Sequence, residues 1–167
     1  MRSREIVAAA LLCAASSPAP AADYYVAARY TTAHDGEGQV LINADNLHTV
    51  DGGYKATDVV VVNAAGVGVV VYDAQFDCAA KTWRVSTQSD YYPSISIAPV
   101  IRTPFEPPPF VAVRDGTSIA GAMTMVCGWP ASAAGADKVT ASNAVTLSSM
   151  VSPGLKPAPE GPPPQDQ

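Results

Sequence analysis

The stretch "QFDCAAKTWRV", residues 75–85, is the part of the sequence that decides the fold. It ends one apolar strand pattern, turns at Ala79-Ala80 and starts a second strand pattern. In the second pattern apolar and polar residues alternate, with Trp83 and Val85 on one face and Thr82 and Arg84 on the other. This alternation is typical of an antiparallel sheet with one face in water. The stretch predicts a hairpin with Cys78 at the end of a strand, in a sheet whose apolar face needs a cover.

Further strand patterns lie on the N-terminal side of this hairpin. β-Branched and aromatic runs are separated by turn residues at 34–36, 51–53 and 63–66. The runs are "YYVAARY", "GQVLIN", "YKATDVVVVN", "GVGVVVYDAQFDC" and "KTWRVSTQ". Links this short favour antiparallel neighbours over parallel crossovers. With at most one short edge strand from the proline-rich stretch after Tyr92, the sequence predicts an antiparallel β-meander of about five to six strands.

A single helix pattern follows in "DGTSIAGAMTMVCGWP", residues 115–130. Its apolar residues recur at helical spacing: Ile119, Ala122, Met123, Val126 and Cys127. Thr117 or Ser118 suits the N-terminal cap, and Gly128 and Pro130 suit the end. The sequence therefore predicts an α+β fold in which a C-terminal helix packs on one face of the sheet, with Cys127 in its buried stripe.

The N-terminal residues 1–21 have the pattern of a secretory signal peptide. Arg2 and Arg4 precede an apolar stretch, and a small-residue cleavage site ends at Ala21. Cys13 lies in this segment and is lost with it. Leu12, directly before Cys13, is unlike the small residue that precedes a lipid-modified cysteine, although a lipoprotein remains an alternative. The pattern predicts an exported protein of the periplasm or the outer cell surface.

After cleavage two cysteines remain, Cys78 and Cys127, in a chain sent to an oxidising compartment. A disulfide between them would join the helix to the sheet. A zinc site is the competing interpretation, but the cysteines lack a CxxC spacing and His34 and His48 lie well upstream. The sequence favours the disulfide and predicts neither a metal nor a cofactor.

Composition divides the mature chain into three parts. Residues 22–129 carry the strand and helix patterns, residues 130–152 form a small and polar extension, and residues 153–167 are a proline-rich tail predicted to be disordered. Removing Arg2, Arg4 and Glu5 from the charges leaves 8 basic and 14 acidic residues, a net charge of −6. This charge argues against nucleic acid and anionic lipid as partners. No later segment is apolar enough for a transmembrane helix.

The order of these features resembles the surface-adhesin protein E-like family of Gram-negative bacteria. The matching residues are Asp77-Cys78 at a strand end, Thr117-Ser118 at the helix start and Val126-Cys127 at the helix end, with Asp45 and Leu47 near the expected places of a turn. Asn46 and Leu47 stand where the family has Ser-Ile, and Phe110 stands where it usually has a tryptophan. The resemblance covers residues 23–128 and implies an antiparallel sheet with a disulfide-bound helix. It also implies adhesion to extracellular proteins as an expected activity.

The residues point to binding and not to catalysis. Ser118 lies in "GTSIAG", which lacks the G-x-S-x-G spacing of a nucleophile elbow. His34 and His48 lie in loops without a partner at sequence level, so no catalytic residue is predicted. Aromatic residues at turns are the candidates for a binding surface, because such residues are enriched in binding hot spots. They are Tyr24, Tyr25, Tyr91, Tyr92 and Trp129. A structural envelope protein without a ligand site and an unrecognised hydrolase remain the alternatives.

Overall fold

The computed structural model describes residues 21–32, 36–63, 68–91, 100–104, 106, 108–142 and 146–147. Residues 1–20 of the predicted signal peptide, His34, Tyr92 and the proline-rich tail lie outside the described residues. The strands are β1 (Ala22–Thr32), β2 (Gly36–Asn43), β3 (His48–Thr49), β4 (Lys55–Asn63), β5 (Val69–Asp77), β6 (Thr82–Tyr91), β7 (Val100–Arg102), β8 (Val111–Ala112) and β9 (Lys138–Ala141). The α-helix α1 spans Ser118–Gly128.

All strand pairs are antiparallel and belong to one sheet. Its order is β7-β6-β5-β4-β2-β1-β9, with β3 beside β4 and β8 beside β6. The predicted meander is confirmed for the five long strands, because β1, β2, β4, β5 and β6 lie side by side in chain order. The predicted number of five to six strands is wrong, since the described sheet has nine. The additional strands have two to four residues, too few to show an alternating pattern in the sequence.

The sheet buries apolar side chains on both faces. In β4, Val59 packs on the face that carries α1, and Val60 and Val62 pack on the opposite face with Leu41 and Tyr24. The expectation of one face in water is therefore wrong for the central strands. A nearly continuous apolar run such as "VVVV" at 59–62 is typical of a strand buried on both faces. That run indicates burial on both faces of the central strands, whereas the alternation in β6 does not.

The predicted helix is confirmed and covers one face. Ala122, Met123 and Val126 of the predicted stripe are buried, whereas Ile119 and Cys127 are half-buried. Thr117 is the N-terminal cap, since its Oγ1 accepts a hydrogen bond from the Ala120 amide at 3.3 Å. The helix lies so close to β1 that a Cβ atom on Gly121 would stand 2.7 Å from the Ala27 carbonyl oxygen. Glycine is needed here for close approach of two backbones.

The small and polar extension takes part in the sheet. Its residues Lys138–Ala141 form β9, which pairs with the start of β1, and the Val26 amide donates to the Asp137 carbonyl oxygen at 2.9 Å. Leu147 is completely buried against the second face. The tertiary fold therefore continues past residue 129, where the strand and helix patterns end.

Side chains reinforce the contact between β1 and β9. The Lys138 ammonium lies 2.6 Å from the Asp23 carboxylate, and the Thr140 hydroxyl donates to the same carboxylate at 2.7 Å. The hydrogen bonds from Lys138 and then Thr140 lower the pKa of Asp23. The hydrogen bond to Asp23 in turn raises the pKa of Lys138.

We expect these contacts to make the stability of the β9 edge depend on pH in acid. A carboxyl group whose pKa is lowered by folding stabilises the fold fully above its unfolded value of about 3.9, and this contribution is lost as pH falls through the folded value. The melting temperature of the wild type should therefore exceed that of Asp23→Asn near neutral pH, and the difference should shrink below about pH 4. Thermal melts of both proteins across this range measure it. A difference that stays constant would show that the Asp23 charge does not stabilise this edge.

Candidate functional site

The turn between β5 and β6 positions the first cysteine. Asp77 Oδ1 accepts hydrogen bonds from the Ala79 amide at 3.1 Å and the Ala80 amide at 2.9 Å. Lys81 completes the turn with φ of 53°, in the left-handed region. This turn holds Cys78 at the end of β5, where it forms a disulfide with Cys127 of α1 across a Cα–Cα distance of 5.6 Å. The predicted disulfide is confirmed.

A cavity of about 220 Å³ lies beside the disulfide. One wall is α1, and the other is formed by the β5–β6 turn and the segment that follows β8. The Val113 amide donates to the Lys81 carbonyl oxygen at 3.0 Å and so joins these two parts of the second wall. Met123, Val113 and both cysteines give the cavity an apolar lining, to which Lys81 and Asp115 add opposite charges. Sequence reasoning missed this cavity, because residues 81, 113 and 123 meet only in the folded chain.

The aromatic residues predicted to form a binding surface do not lie together. Tyr24 is only 7% exposed and packs on the second face, where Tyr91 is half-buried beside the same cluster. Burial, followed by the nearby Asp58 carboxylate, raises the pKa of Tyr24. Tyr25 and Trp129 meet on the helix-bearing face, edge to face at 5.1 Å between ring centroids. The structure thus brings Tyr25 and Trp129 together on one face of the sheet. Tyr24 and Tyr91 pack on the other face, and Tyr92 is not described.

A second aromatic group lies on the face opposite α1. The Phe110 ring is 4.7 Å from the Tyr54 ring and 4.6 Å from the Arg84 guanidinium carbon. Gln75 Oε1 accepts two hydrogen bonds from that guanidinium, at 3.0 and 2.7 Å. These contacts fix Arg84 as a packing residue and tie the segment before β8 to the sheet. No short sequence motif predicts these contacts, since they join positions up to 56 residues apart, from 54 to 110.

The exposed apolar residues gather at one edge of the sheet. Among the described residues, the large hydrophobic side chains with high exposure are Val100 (42%), Ile101 (64%) and Val111 (51%). They belong to β7 and β8, which pair with the two ends of β6. The neighbouring Arg102 is ion-paired with Asp90 at 2.8 Å. The described part of this edge therefore presents apolar side chains next to an arginine that is already ion-paired.

The residues considered for catalysis occupy structural positions or lie outside the described chain. Ser118 is the first residue of α1, next to its cap. His48, on the exposed strand β3, has its Nδ1 2.8 Å from the Asn46 carbonyl oxygen, and His34 is not described. Within the described residues, no three His, Cys, Asp or Glu side chains stand close enough to hold a metal ion. No helix in the same part of the chain is long and apolar enough to cross a membrane.

Comparisons of the chain with models of known protein families, with curated proteins and with solved structures gave no match. The resemblance to the surface-adhesin E-like family therefore stays a prediction, and function is argued from the sites just described.

Proposed function

We propose that the chain is an exported protein of the cell envelope that binds another protein and catalyses no reaction. The signal-peptide pattern supports export, and the Cys78–Cys127 disulfide fits a protein that folds in an oxidising compartment. The observation that carries the binding function is the apolar edge formed by β7 and β8. Adhesion to extracellular proteins, which the family resemblance implies, is one form that such binding takes.

The edge fits an extended apolar segment of another protein. In the described chain β7 pairs with one strand only, β6, so its outer backbone groups are available for strand addition. Val100 and Ile101 point to opposite faces of the sheet, which gives an added strand one apolar contact on each face. Because Arg102 is already paired with Asp90, the edge favours an uncharged partner. A second copy is disfavoured by the net charge of −6 on each mature chain.

A display library of 12-residue peptides, selected on the mature protein, tests this proposal. We expect peptides rich in β-branched and aromatic residues, and we expect Ile101→Asp to weaken their binding by tenfold or more, because a charge on the central edge residue opposes an apolar contact. Thr49→Asp, on the exposed strand β3, adds the same charge elsewhere and should bind as the wild type does.

Two outcomes would contradict the proposal. Selected peptides that bind Ile101→Asp as tightly as the wild type would place recognition elsewhere, and a selection without enrichment would favour a structural envelope protein. Turnover in a broad hydrolase substrate screen would replace binding with catalysis. Cell fractionation and the intact mass of the exported protein, expected to start at Ala22, test the compartment separately.

A further inference from the structure

The cavity beside the disulfide gives small molecules access to the bond between Cys78 and Cys127. Cys78 is exposed, Cys127 is half-buried, and both line the cavity. The volume of about 220 Å³ is below the range of roughly 300–1,000 Å³ that drug-sized ligands occupy. A ligand of amino-acid size fits this space better than a larger one.

The cavity lining carries one charge of each sign, as a zwitterion does. Lys81 and Asp115 both line it, and neither side chain makes a hydrogen bond or an ion pair with another residue in the part of the chain that the structure describes. Opposite charges that do not neutralise each other are free to pair with a ligand that carries both signs. Met123 and Val113 add an apolar surface to the same cavity. An α-amino acid carries a carboxylate for Lys81, an ammonium for Asp115 and a short side chain for the apolar surface.

We propose that this cavity binds a small amino-acid thiol of the cysteine class and exchanges it with the Cys78–Cys127 disulfide. The ligand carboxylate pairs with Lys81, its ammonium pairs with Asp115, and its thiolate attacks the Cys78 sulfur. A new bond joins the ligand sulfur to Cys78, the Cys78–Cys127 bond breaks, and the bond electrons leave on the Cys127 sulfur, which takes a proton from water. The exchange needs no other oxidant or reductant, because one disulfide replaces another.

The position of each cysteine determines the product. Attack at Cys78 is favoured by exposure, since Cys78 is exposed and Cys127 is half-buried. Attack at Cys78 makes Cys127 the leaving group, and an excess of the small thiol favours the mixed disulfide over the return step. Ala122, Met123 and Val126 stay buried against the sheet and keep α1 docked after the exchange.

Mass spectrometry of the oxidised mature protein treated with L-cysteine without oxygen tests this proposal. We expect one cysteinyl adduct, located on Cys78 by peptide mapping, and a protein that stays folded by circular dichroism. Lys81→Asn keeps the left-handed turn, which asparagine tolerates, but removes the charge. The rate of adduct formation should fall about three- to fivefold in Lys81→Asn and in Asp115→Asn, the range that an exposed charge pair supports.

Two controls separate recognition from accessibility. With uncharged 2-mercaptoethanol, the rates of Lys81→Asn and the wild type should agree within about twofold. Arg29→Gln removes one positive charge on β1, three strands away from β5, and should match the wild type with both thiols. The proposal would be overturned if Lys81→Asn lowered the rate of adduct formation equally with both thiols. An adduct on Cys127, or a disulfide that stays intact in excess L-cysteine, would overturn it as well.

Discussion

Replacing Cys78 and Cys127 together with alanine is expected to lower the free energy of unfolding by about 4 kcal/mol, the chain-entropy value for a closed loop of about 50 residues. The bridge joins positions 49 residues apart and encloses β6, β7 and β8. Without it the unfolded chain gains conformations, and α1 loses its covalent link to the sheet. Equilibrium unfolding in urea of the oxidised wild type and the double variant measures the difference.

Two comparisons make this measurement decisive. The wild type unfolded in the presence of reductant should approach the stability of the double variant, because both lack the same cross-link. The single variant Cys78→Ala, which leaves Cys127 as a half-buried thiol, should resemble the double variant as well. A loss smaller than about 1 kcal/mol in all three would show that the helix is held by packing and that the disulfide adds little.

Leu147→Ala is expected to lower the free energy of unfolding by about 2–5 kcal/mol, the range for truncating a buried leucine. Leu147 is completely buried in the cluster of the second face, together with Leu41, Val60 and Val62. Removing its side chain leaves a cavity, because the surrounding core side chains relax only in part. Urea unfolding of the variant and the wild type gives the difference.

Leu155→Ala is the matched control for this prediction. It makes the same change in the tail that the sequence predicts to be disordered, so it should alter stability by less than about 0.5 kcal/mol. A Leu147→Ala variant as stable as the wild type would mean that Leu147 contributes no core contact. In that event a chain ending just after β9, at residue 142, should be as stable as the full mature chain, which a truncated protein tests directly.

The meander and the helix were predicted correctly, because each depends on a pattern within a few residues. "KTWRVSTQ" shows the two-residue period of a strand, and "IAGAMTMVC" shows the spacing of a helix. The disulfide was predictable because only two cysteines follow the signal peptide. The number of strands was wrong because β3, β7, β8 and β9 are stabilised by their neighbours in the sheet, and two to four residues carry too little pattern of their own.

The candidate sites were harder to predict than the fold. Tyr24 and Tyr25 are adjacent in sequence, yet a strand turns them to opposite faces: Tyr24 enters the core and Tyr25 meets Trp129. The apolar edge was hidden in a proline-rich stretch that gives no strand signal beyond "VIR" and "VA". The solvent exposure of a side chain depends on which strands and helices pack over it, and local sequence patterns do not predict that packing.

By itself, the sequence determined that this protein has an antiparallel sheet, one amphipathic helix and a disulfide that joins them. Local periodicity and the count of cysteines are sufficient for those features. Only the tertiary structure decided that Leu147 packs on the second face, that β9 pairs with β1, and that Lys81 and Asp115 share a cavity with the disulfide. These features arise from contacts between distant residues, such as Ala22 with Ala141, which form only when the whole chain packs.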